Sequence, residues 1–216
     1  MDTELKPAAP KPALQRHVSA SVARLPIPGE SVCGDAALVQ ELAGGCLIAA
    51  ADGLGHGAEA ARAAERAVGA LRAAGHGKAI QLLQACHTEL RSTRGAVMSL
   101  AWIQYADDTL TWLGVGNVGG LLLRAGTTGE GATEHLLCRG GTVGVSLPPP
   151  YAAMTTIAPG DTLLLFTDGL DAKRIMQFSD LLMPPERAAA TLLRTCRRAD
   201  DDALVLVARY DAGVPA

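Results

Sequence analysis

Four apolar runs in this chain begin or end on an aspartate, and that placement constrains the fold more than any other feature. SVCGDAALV carries Asp35 behind a glycine at the start of a run. IAAADGLGHGAEAA stops a run on Asp52, with Gly53, Gly55 and Gly57 behind it and an alanine-rich segment following. TLLLFTDGLD ends a run at Asp168-Gly169, and RRADDDALVLVARY sets Asp200, Asp201 and Asp202 ahead of the last one. A single Asp-Gly is usually a turn or a helix cap. A carboxylate at the end of a buried strand is costly unless it is paired or holds a metal. Four such places in one chain point to one convergent acidic cluster. Its hard oxygen ligands suit Mg²⁺ or Mn²⁺, and a pair of such ions about 3.5–4 Å apart can activate water for in-line attack on phosphorus.

The rest of the pattern is rich in strands. Strand-like segments fall near 17–23, 34–41, 45–51, 96–105, 109–114, 119–124, 134–138, 153–158, 161–167 and 203–210. LLLF at 163–166 and ALVLVA at 203–208 are continuous apolar runs, as in strands buried on both faces. Short turns containing Asp107-Asp108 and Gly116-Asn117 join 96–105, 109–114 and 119–124, the spacing of an antiparallel meander. Helical periodicity marks 58–74, with Ala61, Ala64, Val68 and Leu71 on one stripe. It also marks 78–91 (Ile80, Leu83, His87, Leu90) and 185–197 (Ala189, Leu192, Cys196). His87 therefore reads as a satisfied core histidine. Aromatics are only 3% of the 216 residues, so the core must be aliphatic and alanine-rich, which favours close approach of elements. Together these features predict one α+β domain over 14–210, with helices layered on stacked sheets. Residues 1–13 and 211–216 read as tails.

Several function classes lose support. The formal net charge is −3 and no basic block occurs, so the electrostatic footprint of nucleic-acid binding is missing. No run of about 18 apolar residues exists and the first residues lack a signal core, so a cytoplasmic protein without a membrane span is expected. The five cysteines form no CxxC and fit reduced thiols. Gly53, Gly55 and Ala58 match the GxGxxA pattern of dinucleotide sites. Against that reading, Asp52 would repel a pyrophosphate, Leu71, Arg72 and Ala73 stand where an acidic ribose partner belongs, and the surroundings read as antiparallel.

The ordered set GD at 34–35, DGLGHG at 52–57, RGAVMSLAWI at 94–103, GNVG at 116–119, GGTVGV at 140–145, DTLLLFTDGL at 161–170 and DDALVLVARY at 201–210 resembles the metal-dependent protein phosphatases (PPM, or type 2C), within their SpoIIE-like bacterial branch. The resemblance spans roughly 15–210 and implies a four-layer αββα sandwich of two antiparallel sheets flanked by helices. It implies two Mn²⁺ or Mg²⁺ ions held by Asp35, Asp52, the Gly53 carbonyl, Asp168 and Asp201. Relatives close the last motif as Asp-Asp-x-Thr; here Leu204 replaces the threonine, and Asp200 and Asp202 flank the assigned ligand. Catalysis would use Asp35 and Asp52, with water attacking phosphorus directly; His56, four residues after Asp52, reads either as a general acid to the departing serine oxygen or as a loop residue that shapes the helix start. No CxxxxxR signature of a thiol-phosphate intermediate is present. Asn117 and Arg94 are candidate substrate contacts, as is Arg139; Asp171 reads as a helix cap, and Gly140-Gly141 as a tight turn. The chain is most similar to the small free-standing RsbX-like phosphatases of stressosome modules. Its implied substrates are phosphoserine or phosphothreonine on STAS-domain scaffold proteins of the RsbS/RsbR kind. The rival within the same family is a catalytically inactive binding module.

Overall fold

Strands whose two faces are both apolar must be covered on both sides, and that requirement builds the architecture. The computed structural model describes residues 15–75, 77–127, 131–178 and 183–213. The tail expected at 1–13 lies outside the described residues. One sheet contains β2 (Asp35–Leu42), β3 (Gly45–Gly53), β4 (Ala96–Gln104), β5 (Thr109–Val115) and β8 (Cys138–Arg139) in that order, with β9 (Ala153–Thr156) also paired to β5. The other has the order β1 (Arg16–Leu25), β11 (Ala203–Ala212), β10 (Thr162–Phe166), β6 (Gly119–Leu123) and β7 (Thr133–His135). Every named pairing is antiparallel except β5 with β8.

Alternation along each strand sorts the side chains into three apolar layers. Cys46, Ile48 and Ala50 of β3 meet Leu204, Leu206 and Ala208 of β11 between the sheets. Leu47, Ala49 and Ala51 face α1 (Gly57–Ala74) and α2 (Ala79–Leu90). Ala203, Val205 and Val207 face α3 (Ala172–Met176) and α4 (Pro185–Cys196). The result is the αββα sandwich. Small residues let α1 sit close: Ala60, Ala63, Ala64 and Ala67 are wholly buried, and a Cβ on Gly53 would come within 1.9 Å of the Ala60 carbonyl oxygen. Among the described residues no helix is long and apolar enough to cross a membrane.

The structure departs from the sequence expectations in four places. Segments 96–105 and 109–114 do pair as β4 and β5, but β6 leaves that sheet and pairs with β10. Gly116-Asn117 is thus a crossover between sheets rather than a hairpin turn. Gly116 takes φ +94, where a Cβ would strike Val97 at 2.2 Å, and the buried Ser99 hydroxyl holds the Val118 carbonyl at 2.7 Å. The run 134–138 splits as well: β7 joins β6 in one sheet, while β8 joins β5 in the other. Strand β11 extends to Ala212, opposite Arg16, so 211 and 212 belong to the sheet. On α2 the buried stripe is rotated from the expected one, with Leu82 and Cys86 inside and Ile80 and His87 half-buried. His87 does find a partner, accepting at Nδ1 from the Gly144 N–H at 2.9 Å.

Trp112 fills the inter-sheet layer at 2% exposure and donates from Nε1 to the Leu137 carbonyl at 3.0 Å. Opposite it Gly120 leaves room for the ring, since a Cβ there would lie 2.4 Å from it. Trp112→Ala should cost about 3–5 kcal/mol through the cavity and the unpaired carbonyl, and Trp112→Phe clearly less. Urea unfolding with an unchanged denaturant slope is the check.

Candidate active site

Register brings the acidic residues together. Asp35 opens β2 and Asp52 lies near the end of β3, and the two are direct cross-strand partners. The opposite sheet delivers the others at the same edge: β10 ends at Phe166 and runs into Thr167 and Asp168, while Asp201 and Asp202 precede β11. Asp35 is 1% exposed. Its Oδ2 accepts from the Thr167 hydroxyl at 2.8 Å, and that same hydroxyl accepts from the Leu204 N–H at 2.9 Å. Asp168 is exposed and accepts at Oδ2 from the Asn117 amide at 2.7 Å. The crossover at Gly116-Asn117 is what carries Asn117 there.

The electrostatics identify the members of the cluster. Burial pushes the Asp52 carboxyl well above the usual carboxylate range, and the charges of Asp35, Asp168, Asp201 and Asp202 push it further. Asp35 is raised first by burial and then by Asp202, Asp168 and Asp201, against the Thr167 hydrogen bond that lowers it. Asp201 is raised by burial and by Asp168. Asp200 stands apart: it is fully exposed, paired with Arg198 at 3.3 Å, and held below its ordinary value by that contact. Asp202 is 3% exposed, and its Oδ1 accepts from the Ile27 N–H at 2.8 Å. Its own N–H donates to Asp201 Oδ1 at 2.8 Å. Of the three consecutive aspartates, one is a surface ion pair, one a buried strap, and Asp201 remains half-exposed at the edge.

The donor set fits a hard divalent cation. Asp35 Oδ1 and Asp202 Oδ2 are buried without a hydrogen-bond partner, and mutual repulsion is what a bound cation would reverse. Among the described residues no three carboxylate, thiol or imidazole groups already close up as a cage for one ion.

Gly53 is the last residue of β3, and its bare Cα is needed by the Ala60 backbone. Gly55 at φ +87 and Gly57 at φ +72 make the turn. His56 is the N-cap of α1 but makes no side-chain cap; its Nδ1 pairs with Glu30 Oε1 at 2.9 Å. The Arg94 guanidinium crosses the same loop, its Nη1 2.9 Å from where a Gly55 Cβ would sit. Arg139 is occupied elsewhere, stacked 5.2 Å over Tyr151. Asp171 caps α3, accepting from the Lys173 and Arg174 N–H groups at 2.9 and 3.3 Å. Sequence reasoning missed Thr167, Glu30 and the strapping role of Asp202. Thr167 is immediately beside a recognised Asp-Gly, while Glu30 has no local signal at all.

Raised carboxyls destabilise the metal-free fold in a definite direction. The folded protein binds more protons than the unfolded chain above the ordinary aspartate pKa of about 4. Stability of the metal-free protein should therefore fall as pH rises from about 4 through neutrality. Thermal unfolding across that range should show the fall, Asp52→Asn should flatten it, and Mg²⁺ or Mn²⁺ should restore the lost stability in the unmutated protein only.

Comparison with known proteins agrees with this architecture. The family model for Stage II sporulation protein E (SpoIIE) matches residues 43–211. No curated protein matches the chain in sequence. A structure from work on the bacterial stressosome, as a modular system adapted to control secondary messenger signalling, is 30% identical, with TM-score 0.82 over 89% of this chain and all (100%) of its own. RsbX in complex with magnesium superposes with TM-score 0.75 at 19% identity, over 92% of this chain and 100% of RsbX. The PP2C phosphatase domain of the cell-fate determinant SpoIIE from Bacillus subtilis, with a fragment of its regulatory domain, gives TM-score 0.75 at 21% identity, over 93% of this chain and 65% of that one. The chain belongs to the SpoIIE family of PP2C-type serine/threonine protein phosphatases.

Proposed function

We propose that this chain is a metal-dependent phosphatase of a bacterial stress-signalling module. It would remove phosphate from serine or threonine on small STAS-domain proteins. The observation that carries the reading is the convergence of Asp35, Asp52, Asp168 and Asp201 from both sheets onto one edge, each of Asp35, Asp52 and Asp201 raised by the others' charge or by burial. The stressosome context of the 30% identical structure supports the choice of partner. The cytoplasm is the compartment this partner implies.

In this reading Asp35, Asp52, Asp168, Asp201 and the Gly53 carbonyl hold two Mn²⁺ or Mg²⁺ ions. Bound there, the ions would supply a nucleophilic water at neutral pH and offset phosphoryl charge. The protein's own groups then do the following. Thr167 locks the Asp35 carboxylate in one rotamer. Asn117 fixes Asp168, a supporting bond of the kind that orients ligands. The amino end of α1 begins at Gly57, just past the Asp52 loop, and the negative charge it favours is met by the Glu30 carboxylate. Arg94 would pair with a phosphoryl oxygen. His56 would protonate the serine oxygen as the P–O bond breaks.

Phosphate release from p-nitrophenyl phosphate and from a phosphoserine STAS protein, with Mn²⁺, tests the reading. Activity should vanish with chelator and fall at least about 10²-fold in Asp52→Asn. Arg94→Ala should raise KM for the phosphoprotein more than it lowers kcat. Activity on the protein substrate alone would indicate dependence on docking. Silence on both substrates, with folded and metal-loaded protein, would replace the enzyme with a phosphatase-like binding module.

A further inference from the structure

One contact beside the site has no part in the scheme above: the carboxylate of Glu30 on the Nδ1 of His56, at 2.9 Å. A carboxylate only accepts hydrogen bonds, so the ring nitrogen facing it must carry the proton. Nε2 has no partner among the described residues. Exposed ion pairs of this type add little to stability, and these side chains are 64% and 36% exposed. The placement of Glu30 is nevertheless built in. Its N–H donates to the Ile27 carbonyl at 3.1 Å across a turn in which Gly29 takes φ +98. The Ile27 N–H is held by Asp202 at 2.8 Å, and the Pro26 carbonyl by Arg197 Nη2 at 2.5 Å. Loop 26–30 is thus strapped to the acidic edge itself. On the other side, a Cβ on Gly57 would lie 3.0 Å from both Glu30 oxygens, so the start of α1 is shaped around this carboxylate.

We propose that Glu30 is a positioning residue for His56: it fixes the tautomer with the proton on Nδ1 and orients the ring so that Nε2 faces the leaving group. The proposal rests on the reading of His56 as proton donor. In the step it serves, a P–O bond forms to water and the P–O bond to serine breaks. The Nε2 proton passes to the serine oxygen, leaving neutral imidazole with its remaining proton held against Glu30. The water's released proton goes to solvent, from which the ring is later reprotonated.

Leaving groups separate this role from a structural one. A serine alkoxide needs a proton, whereas p-nitrophenolate departs without one. With the full chain and Mn²⁺, kcat on a phosphoserine peptide should fall about 10²-fold in His56→Asn and about tenfold in Glu30→Ala. Both losses should be several-fold smaller on p-nitrophenyl phosphate, and the double variant should be no worse than His56→Asn. The imidazole ¹⁵N spectrum should show His56 protonated at Nδ1 in the neutral ring, and the other tautomer gaining in Glu30→Ala. If His56→Asn shows the split and Glu30→Ala leaves kcat and the spectrum unmoved, the positioning role is wrong and the proton donor stands. If His56→Asn loses equally on both substrates or on neither, the proton-donor reading fails and takes the proposal with it. An unmutated protein that releases phosphate from neither substrate overturns both.

Discussion

The hydroxyl of Thr167 is the interaction on which the acidic edge depends. It donates to Asp35 on one sheet and accepts from Leu204 at the head of β11 on the other, while the Thr167 N–H donates to the Leu204 carbonyl at 3.0 Å. One side chain therefore closes the two sheets at the place where their carboxylates repel. Without a donor there, Asp35 would be a buried charge with both oxygens unmet, which costs several kcal/mol. Leu204 itself packs between the sheets. The hydroxyl at this junction comes from Thr167, at the end of the neighbouring strand.

Around that junction the backbone is brought in closer than side chains would allow. A Cβ on Gly34 would meet Asp202 Oδ2 at 2.6 Å, and one on Gly169 would meet the Asp202 carbonyl at 1.8 Å. Gly53 plays the same part against α1. These glycines lie beside the aspartates because the chain must converge there, and no bulkier residue permits it. Close convergence raises the carboxyls, and raised carboxyls make an edge that gains most from a divalent cation. The same backbone contacts that pack the domain thus set the chemistry of its edge.

The sequence was most legible where a pattern is local. Apolar, strand-like runs placed ten strand segments, and 3.6-residue stripes placed α1, α2 and α4 within a residue or two of their observed ends. The four acidic positions were visible because carboxylates rarely end buried runs without a reason. Less legible were features made by pairing choices. The spacing of β4, β5 and β6 is the same for a meander and for a crossover between sheets; only the position of Gly116 against Val97 and the hold of Ser99 on Val118 decide it. The short α3 has too few residues to show a period, and its sign in the sequence is Asp171 alone.

The amino-acid sequence by itself determined which segments are strands and helices, that both faces of the central strands are buried, and that carboxylates cluster at their ends. Those are properties of residue type and near spacing, and near spacing is what a chain states directly. Only the tertiary structure decided which of Asp200, Asp201 and Asp202 faces the edge, which strap, and which salt bridge, because three consecutive residues entering a strand point in different directions. Only it joined Glu30 to His56 and Asn117 to Asp168, pairs far apart in the chain whose contact follows from sheet register and crossover.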